Sequence, residues 1–104
     1  MPWIFLFVAG LLEVVWAFTM KLSQGFTRLG PSIVTLLAML ASFGLLSVAM
    51  RSLPLSTAYT VWTGIGAVGA FVVGVAMLGE PLNFMRVLAT VLIVLGIVLM
   101  RAAH

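Results

Sequence analysis

The chain is written in long apolar stretches broken at a few charged positions. Between Arg28 and Arg51 no residue is charged, nor is any between Arg51 and Glu80. Each interval exceeds the roughly 20 apolar residues a helix needs to cross ~30 Å of hydrocarbon, so each predicts a membrane span. The first twenty residues, Met1 to Met20, are apolar apart from Glu13 and a few small polar groups, which predicts a third. From Val87 to Met100 there are only 14 uncharged residues. At ~1.5 Å each they rise about 21 Å, so a fourth span requires that Arg86 snorkel and that the helix begin near Leu82.

Turn signals fall between these stretches. SQGFTRLGP (Ser23 to Pro31) carries two glycines, a proline and a base, and Pro31 suits the first turn of the second helix. RSLPLST (Arg51 to Thr57) marks the next boundary, with Ser56 or Thr57 as the expected N-cap of the third helix. GEPLN (Gly79 to Asn83) separates the third helix from the fourth. The pattern predicts helices near residues 3–21, 31–50, 57–78 and 83–101, forming one four-helix transmembrane domain over residues 1–104.

Composition agrees: 64% of residues are hydrophobic and 7% charged, whereas soluble domains carry about a quarter charged residues. The fold class expected is an all-α integral membrane protein. The first apolar run is expected to remain as a span rather than be removed as a signal peptide. No Lys or Arg precedes it, no clear A-x-A site follows, and an acid sits within it. The chain has no cysteine, which excludes disulfides, thiol chemistry and thiolate metal sites. Lys21, Arg28, Arg51, Arg86 and Arg101 are scattered at span ends, where they read as interfacial anchors and not as the clustered basic face that nucleic acid requires. A literal G-x-G-x-x-G at Gly64, Gly66 and Gly69 lies inside an apolar span, with no strand before it and no acid about 20 residues on. Its glycines serve backbone access instead. Together with Ala70 and Gly74 they allow another helix to approach, and the Gly64–Gly66 pair is a potential bending point. Gly96 in the last span is a similar seat for a partner helix.

Four spans put Arg51 and Arg101 on one side of the bilayer and Lys21, Arg28 and Arg86 on the other. Lys and Arg set orientation, and two against three is almost no bias. Two readings follow: the charges are too few to decide, or the chain inserts both ways up and pairs head to tail.

Among the polar residues, Glu13 stands out. An ionised carboxylate midway through a span costs ~2.5–3.5 kcal/mol on insertion scales, and such groups are functional by default; the structural alternative is a protonated Glu locking two helices together. Glu80, in a Gly-Glu-Pro turn at a span end, reads as an exposed interfacial acid. Gly10, Trp16 and Ala17 share the face of Glu13 at helical spacing. Tyr59 and Trp62 lead into the glycines of the third helix, and Thr35, Met39, Ser42 and Ala49 form a stripe on the second. Trp3, at a span end, reads as a belt residue, and for Tyr59, Trp16 and Trp62 the competing reading is belt or core packing.

A buried acid with indole faces, a phenol and a hydroxyl suits an organic cation. Indole attracts cations through its ring quadrupole, and a carboxylate accepts two parallel N–H bonds from a planar guanidinium-like group. A proton and a cation then compete for one carboxylate, the simplest basis for exchange. No metal site, cofactor or catalytic residue is expected. The single histidine is His104, and no nucleophile has a base at a readable spacing, so the chain does not read as an enzyme. One four-helix chain supplies only one such acid; two chains paired antiparallel would mimic the inverted repeats of larger transporters, with the two copies of Glu13 titrating as a coupled pair.

The motifs GLLEVVWAFTMK in the first helix, GFTRLGPS leading into the second and LPLSTAYTVWTGIGAVGA in the third together resemble the small multidrug resistance family of bacterial inner-membrane exporters, from Trp3 to Arg101. Trp16 three residues after Glu13, and Ser42 in a second helix without a tyrosine, are similar to its guanidinium-exporter subtype more than to its quaternary ammonium subtype. The resemblance implies an antiparallel, dual-topology homodimer in the inner membrane that exchanges cytoplasmic guanidinium for external protons. It also implies roles: Glu13 binds proton or substrate; Trp16, Ser42, Tyr59 and Trp62 line the site and hydrogen-bond around the carboxylates. Gly10 leaves space beside Glu13, Gly64 and Gly66 bend the third helix, and Gly96 belongs to the dimer contact. Two alternatives stay open, a quaternary ammonium or multidrug cation exporter and, from another class, a structural or assembly subunit of a membrane complex.

Overall fold

The computed structural model describes residues 2–103; Met1 and His104, the histidine set aside above, lie outside the described residues. Its four helices are α1 (Pro2–Leu22), α2 (Leu29–Ala49), α3 (Leu55–Met77) and α4 (Phe84–Ala103), each long and apolar enough to cross a membrane. At ~1.5 Å per residue all four reach about 30 Å or more.

The short uncharged run in α4 is reconciled at its ends. The helix takes in both Arg86 and Arg101, whose guanidinium groups lie over aromatic rings of other helices: Arg86 over Phe71 at 5.1 Å and Arg101 over Trp3 at 4.5 Å. The long stems stay with apolar surface while the charges reach the ends of the span. Asn83 caps this helix, its Oδ1 accepting from the Arg86 N–H at 2.9 Å and its carbonyl from the Val87 N–H at 3.0 Å.

The start of α3 departs from expectation. Ser56 and Thr57 lie inside the first turn, and the N-cap is Pro54, whose side chain makes no cap hydrogen bond. Its ring fixes φ at −62°, its ψ of 153° is extended, and its carbonyl already accepts from the Ala58 N–H at 2.9 Å. The helix therefore begins directly after the proline. In α2, by contrast, Pro31 falls in the first turn as its fixed φ favours.

α1 is the central element, packed along both α2 and α3, while α2 and α3 meet only locally and the backbone of α4 approaches α3 alone. The described core gathers Leu6, Ala9, Leu46, Ala49, Leu53, Ala58, Val61 and Trp62. No residue of α4 is buried. The Cα envelope is a slab, 40 × 34 × 16 Å, so a large share of every helix faces outward.

Small residues set the close approach of α1 and α3. A Cβ on Gly10 would come within 2.5 Å of Ile65 Cγ2, and one on Gly69 would collide with Val14. Near the other end of α1, Thr19 Oγ1 and Thr35 Oγ1 lie 2.6 Å apart and join α1 to α2.

Candidate functional site

Glu13 lies near the middle of α1, half-buried, on the edge of that helix that meets α3. Its carboxylate lies across Gly66, where any Cβ would occupy the position of Oε1. Gly66 therefore makes room for the acid, and Gly10 seats Ile65 of α3. Among the described residues, Glu13 Oε1 and Trp16 Nε1 are buried with no hydrogen-bond partner. An orphaned acceptor and an orphaned donor thus share one helix face, each costing about 1–3 kcal/mol unless something fills the gap.

The other residues singled out assemble beside them. Ser42 is fully buried on α2; its hydroxyl donates to the Ala9 carbonyl at 2.7 Å and accepts from Trp62 Nε1 at 3.0 Å. In a helix the Ala9 carbonyl is also the acceptor for the Glu13 N–H, so this relay pins the turn of α1 that carries the acid. Within one chain Trp62 donates to Ser42 and Ser42 to the backbone of α1, so neither bonds to the carboxylate. Tyr59 lies over Trp62 with ring centroids 5.7 Å apart and is largely exposed.

Phe43 was not singled out by sequence reasoning, yet it joins the two indoles. Its ring meets Trp16 edge-on at 6.3 Å and Trp62 at 5.7 Å, giving a run Trp16, Phe43, Trp62, Tyr59 across α1, α2 and α3. Edge-to-face pairs of this kind contribute ~0.5–1.5 kcal/mol each and hold the rings in fixed directions. The only signal in the sequence was adjacency to Ser42, which a helical stripe does not convert into contact.

α3 passes unbroken through Gly64 and Gly66, which serve opposite neighbours. Gly64 admits Ile97 of α4, whose Cδ1 would lie 2.9 Å from an added Cβ, while Gly66 admits Glu13 of α1. Gly96 is exposed, with open space at its Cα, and lines a groove of about 500 Å³ between α3 and α4 together with Tyr59, Gly64 and Ile97. Gly74, read as a possible helix seat, instead underlies the carboxylate of Glu80. Glu80 is not free at the surface but forms an ion pair with Arg86 at 3.6 Å.

Chemically, the centre offers a carboxylate oxygen that accepts, an indole N–H that donates and aromatic faces that attract positive charge, all within a membrane span. The acceptor oxygen and the aromatic faces fit a small cation that itself bears N–H groups, while the indole N–H, a donor, can serve only an acceptor such as a carboxylate.

Comparison with known proteins points the same way. The family described as Small Multidrug Resistance protein matches residues 1–93. A protein named guanidinium exporter from Proteus vulgaris is 54% identical over 103 residues, 99% of each chain. Its namesake from Escherichia coli (strain K12) is 58% identical over 98 residues, 94% of this chain and 93% of that one. Another guanidinium exporter, from Yersinia pestis, is 55% identical over 103 residues, 99% of each.

Proposed function

The chain belongs to the Small Multidrug Resistance protein family, and we propose that this multi-pass membrane protein exports guanidinium and small guanidinyl compounds in exchange for protons at Glu13. The observation that carries the reading is the buried, unpartnered acceptor Glu13 Oε1 in mid-span, on one face with the Trp16 indole. Guanidinium is planar, charged and bears N–H groups on every edge, so a carboxylate binds it by parallel hydrogen bonds and aromatic faces stabilise its charge. Relatives spanning nearly the whole chain carry the name guanidinium exporter.

The cycle follows from competition. A carboxylate that holds guanidinium does not hold a proton, so a proton arriving from one side releases the cation, and loss of that proton readies the acid for the next. Trp16, Ser42, Tyr59 and Trp62 line the site. Ser42 and Trp62 position the α1 turn, and Phe43 keeps the two indoles in register. Gly64 and Gly66 let α3 shift between its neighbours. No covalent step is involved, and the protein acts as a carrier and not as an enzyme.

The working unit is an antiparallel homodimer in the bacterial inner membrane. Three features support it: the open slab, α4 with no buried residue and a groove at Gly96, and the near-even split of Lys and Arg between the two sides. A second copy would cover α4 and close the face on which Glu13 lies.

The test is proton movement in liposomes of purified protein under a guanidinium gradient, with tetramethylammonium for comparison and Glu13→Gln as control. Guanidinium-driven proton flux that vanishes in the variant is the expected result. Flux driven only by tetramethylammonium would replace the reading with a quaternary ammonium exporter, since that ion has no N–H for the carboxylate. Absence of flux from folded protein, with Glu13→Gln leaving a larger assembly intact, would replace it with a structural subunit.

A further inference from the structure

The second carboxylate of the chain, Glu80, lies outside the central site in a setting of its own. After α3 the chain folds back through Gly79 at φ +69°, and the Glu80 N–H donates to the Gly74 carbonyl at 3.0 Å. The Glu80 side chain comes to rest on Gly74, a position that any Cβ there would deny it. Three groups converge around the Arg86 guanidinium. Glu80 Oε1 lies 3.6 Å from Nη2, the Pro81 carbonyl accepts from Nη1 at 2.6 Å, and the Phe71 ring lies under the central carbon at 5.1 Å. A carboxylate, a carbonyl oxygen and an aromatic face are the three features that recognise a guanidinium, and here they hold one supplied by the chain itself.

Of this cluster, Glu80 also lines a cavity. With Lys21 it bounds about 170 Å³ between α1 and α3, whose walls include Val14, Ala17, Ala70 and Gly74. Val14 follows Glu13 directly and Ala17 lies one turn beyond it, so the cavity runs from the loop end of the membrane to the turn that carries the central acid. Lys21 alone would repel a cation there, and Glu80 offsets it.

We propose that Glu80, Phe71 and the Pro81 carbonyl form a second, outer guanidinium site that Arg86 occupies in the resting chain and from which guanidinium or a small guanidinyl compound displaces it on its way to or from Glu13. The inference rests on the guanidinium reading above. It adds a staging site at the membrane boundary, where the incoming cation meets a fitted pocket before it is stripped of water. The pairing with Arg86 is loose at 3.6 Å and half-exposed, as an exchangeable occupant requires. Tetramethylammonium lacks the N–H groups to satisfy either oxygen, so the outer site discriminates in the same sense as the inner one.

The test removes the inner site and watches the outer. Protein carrying Glu13→Gln is labelled with 15N-arginine, and the Arg86 Nε–H signal, assigned by its loss in Arg86→Lys, is followed while guanidinium chloride or tetramethylammonium chloride is added at equal ionic strength. The expected result is a saturable shift with guanidinium alone, abolished by Glu80→Gln. A linear drift, or equal shifts with both salts, overturns the proposal. As a second measurement, Glu13→Gln with Arg86→Gln should bind radiolabelled guanidinium once per chain, and adding Glu80→Gln should weaken that binding about tenfold or more, the loss of one charge-assisted pair. Binding indifferent to Glu80→Gln also overturns it. Neither measurement depends on transport. Wild-type vesicles that move no guanidinium would sink the export reading, whereas active vesicles beside an unresponsive Arg86 would sink only the outer site.

Discussion

Replacing Ser42 by alanine tests whether the relay from Trp62 to Ala9 holds the central site together. The hydroxyl accepts from Trp62 Nε1 at 3.0 Å and donates to the Ala9 carbonyl at 2.7 Å. Alanine removes both bonds at unequal cost. The Ala9 carbonyl keeps the helical N–H of Glu13, so its loss is small. The Trp62 N–H, on a side chain only 7% exposed, is left with no acceptor. A buried orphan costs about 1–3 kcal/mol. Interhelical hydrogen bonds in membranes average ~0.6 kcal/mol with a maximum near 1.7, because the unfolded chain in lipid also finds partners. The orphaned indole places this one toward the upper end, at about 1.5 kcal/mol. Reversible unfolding in mixed micelles measures it, and a double-mutant cycle isolates it. In a Trp62→Phe background there is no N–H to strand, so Ser42→Ala should then cost only a few tenths of a kcal/mol, leaving a coupling of ~1 kcal/mol or more. Additivity within ~0.5 kcal/mol is what independent sites show, and that outcome would refute the relay.

The two glycines that face α1 and α3 should fail differently. Gly66→Ala displaces the Glu13 carboxylate, the far end of a flexible side chain, so the protein should fold normally while guanidinium binding, followed by tryptophan fluorescence, weakens about tenfold or more. Gly10→Ala meets the β-branched Ile65 at 2.5 Å and should lose ~1–3 kcal/mol of stability from overpacking; equal effects of the two substitutions on binding and on unfolding would contradict this division. On the proposed sharing of Glu13 by proton and cation, guanidinium affinity should fall as pH is lowered, approaching about tenfold per pH unit where one proton is displaced per cation, since linkage is reciprocal. Binding titrations across pH check this, and a flat profile in the wild type would remove Glu13 from the exchange.

The helices were legible because membrane insertion depends mainly on length and apolarity, both written along the chain. Their ends were less so. Arg86 and Arg101 made α4 look too short, since charge position alone does not reveal that each guanidinium has a ring from another helix to lie on. Pro54 displaced Ser56 and Thr57 as the cap of α3, because a proline carbonyl with extended ψ starts a helix without any side-chain acceptor. Within the site, helical spacing brought Glu13 and Trp16 together, and mid-depth polarity pointed to Ser42. Spacing within a helix says nothing about which helix lies opposite. Phe43 as the link between indoles, Gly66 as the berth for the acid, Ile65 over Gly10 and the Ala9 carbonyl as terminus of the relay all depend on the docking of α1 against α2 and α3. Glu80 read as a solitary interfacial acid for the same reason, its partner Arg86 lying on the next helix.

α3 stands between α4 and the helix that carries the central acid. Residues two apart on a helix point about 200° away from each other, so Gly64 and Gly66 face opposite sides. One receives Ile97 from α4 and the other the carboxylate of Glu13. The groove beside Gly64 also contains Tyr59, whose ring packs on Trp62, and Trp62 donates to Ser42. Bare backbone at both positions lets this one turn of α3 receive Ile97 on one side and Glu13 on the other, so that a shift of either neighbour is met by the same stretch of helix. An exchanger of the kind proposed needs such an element between its outer face and its binding site, with the opposite wall of the site built by Ser42 and Phe43 of α2.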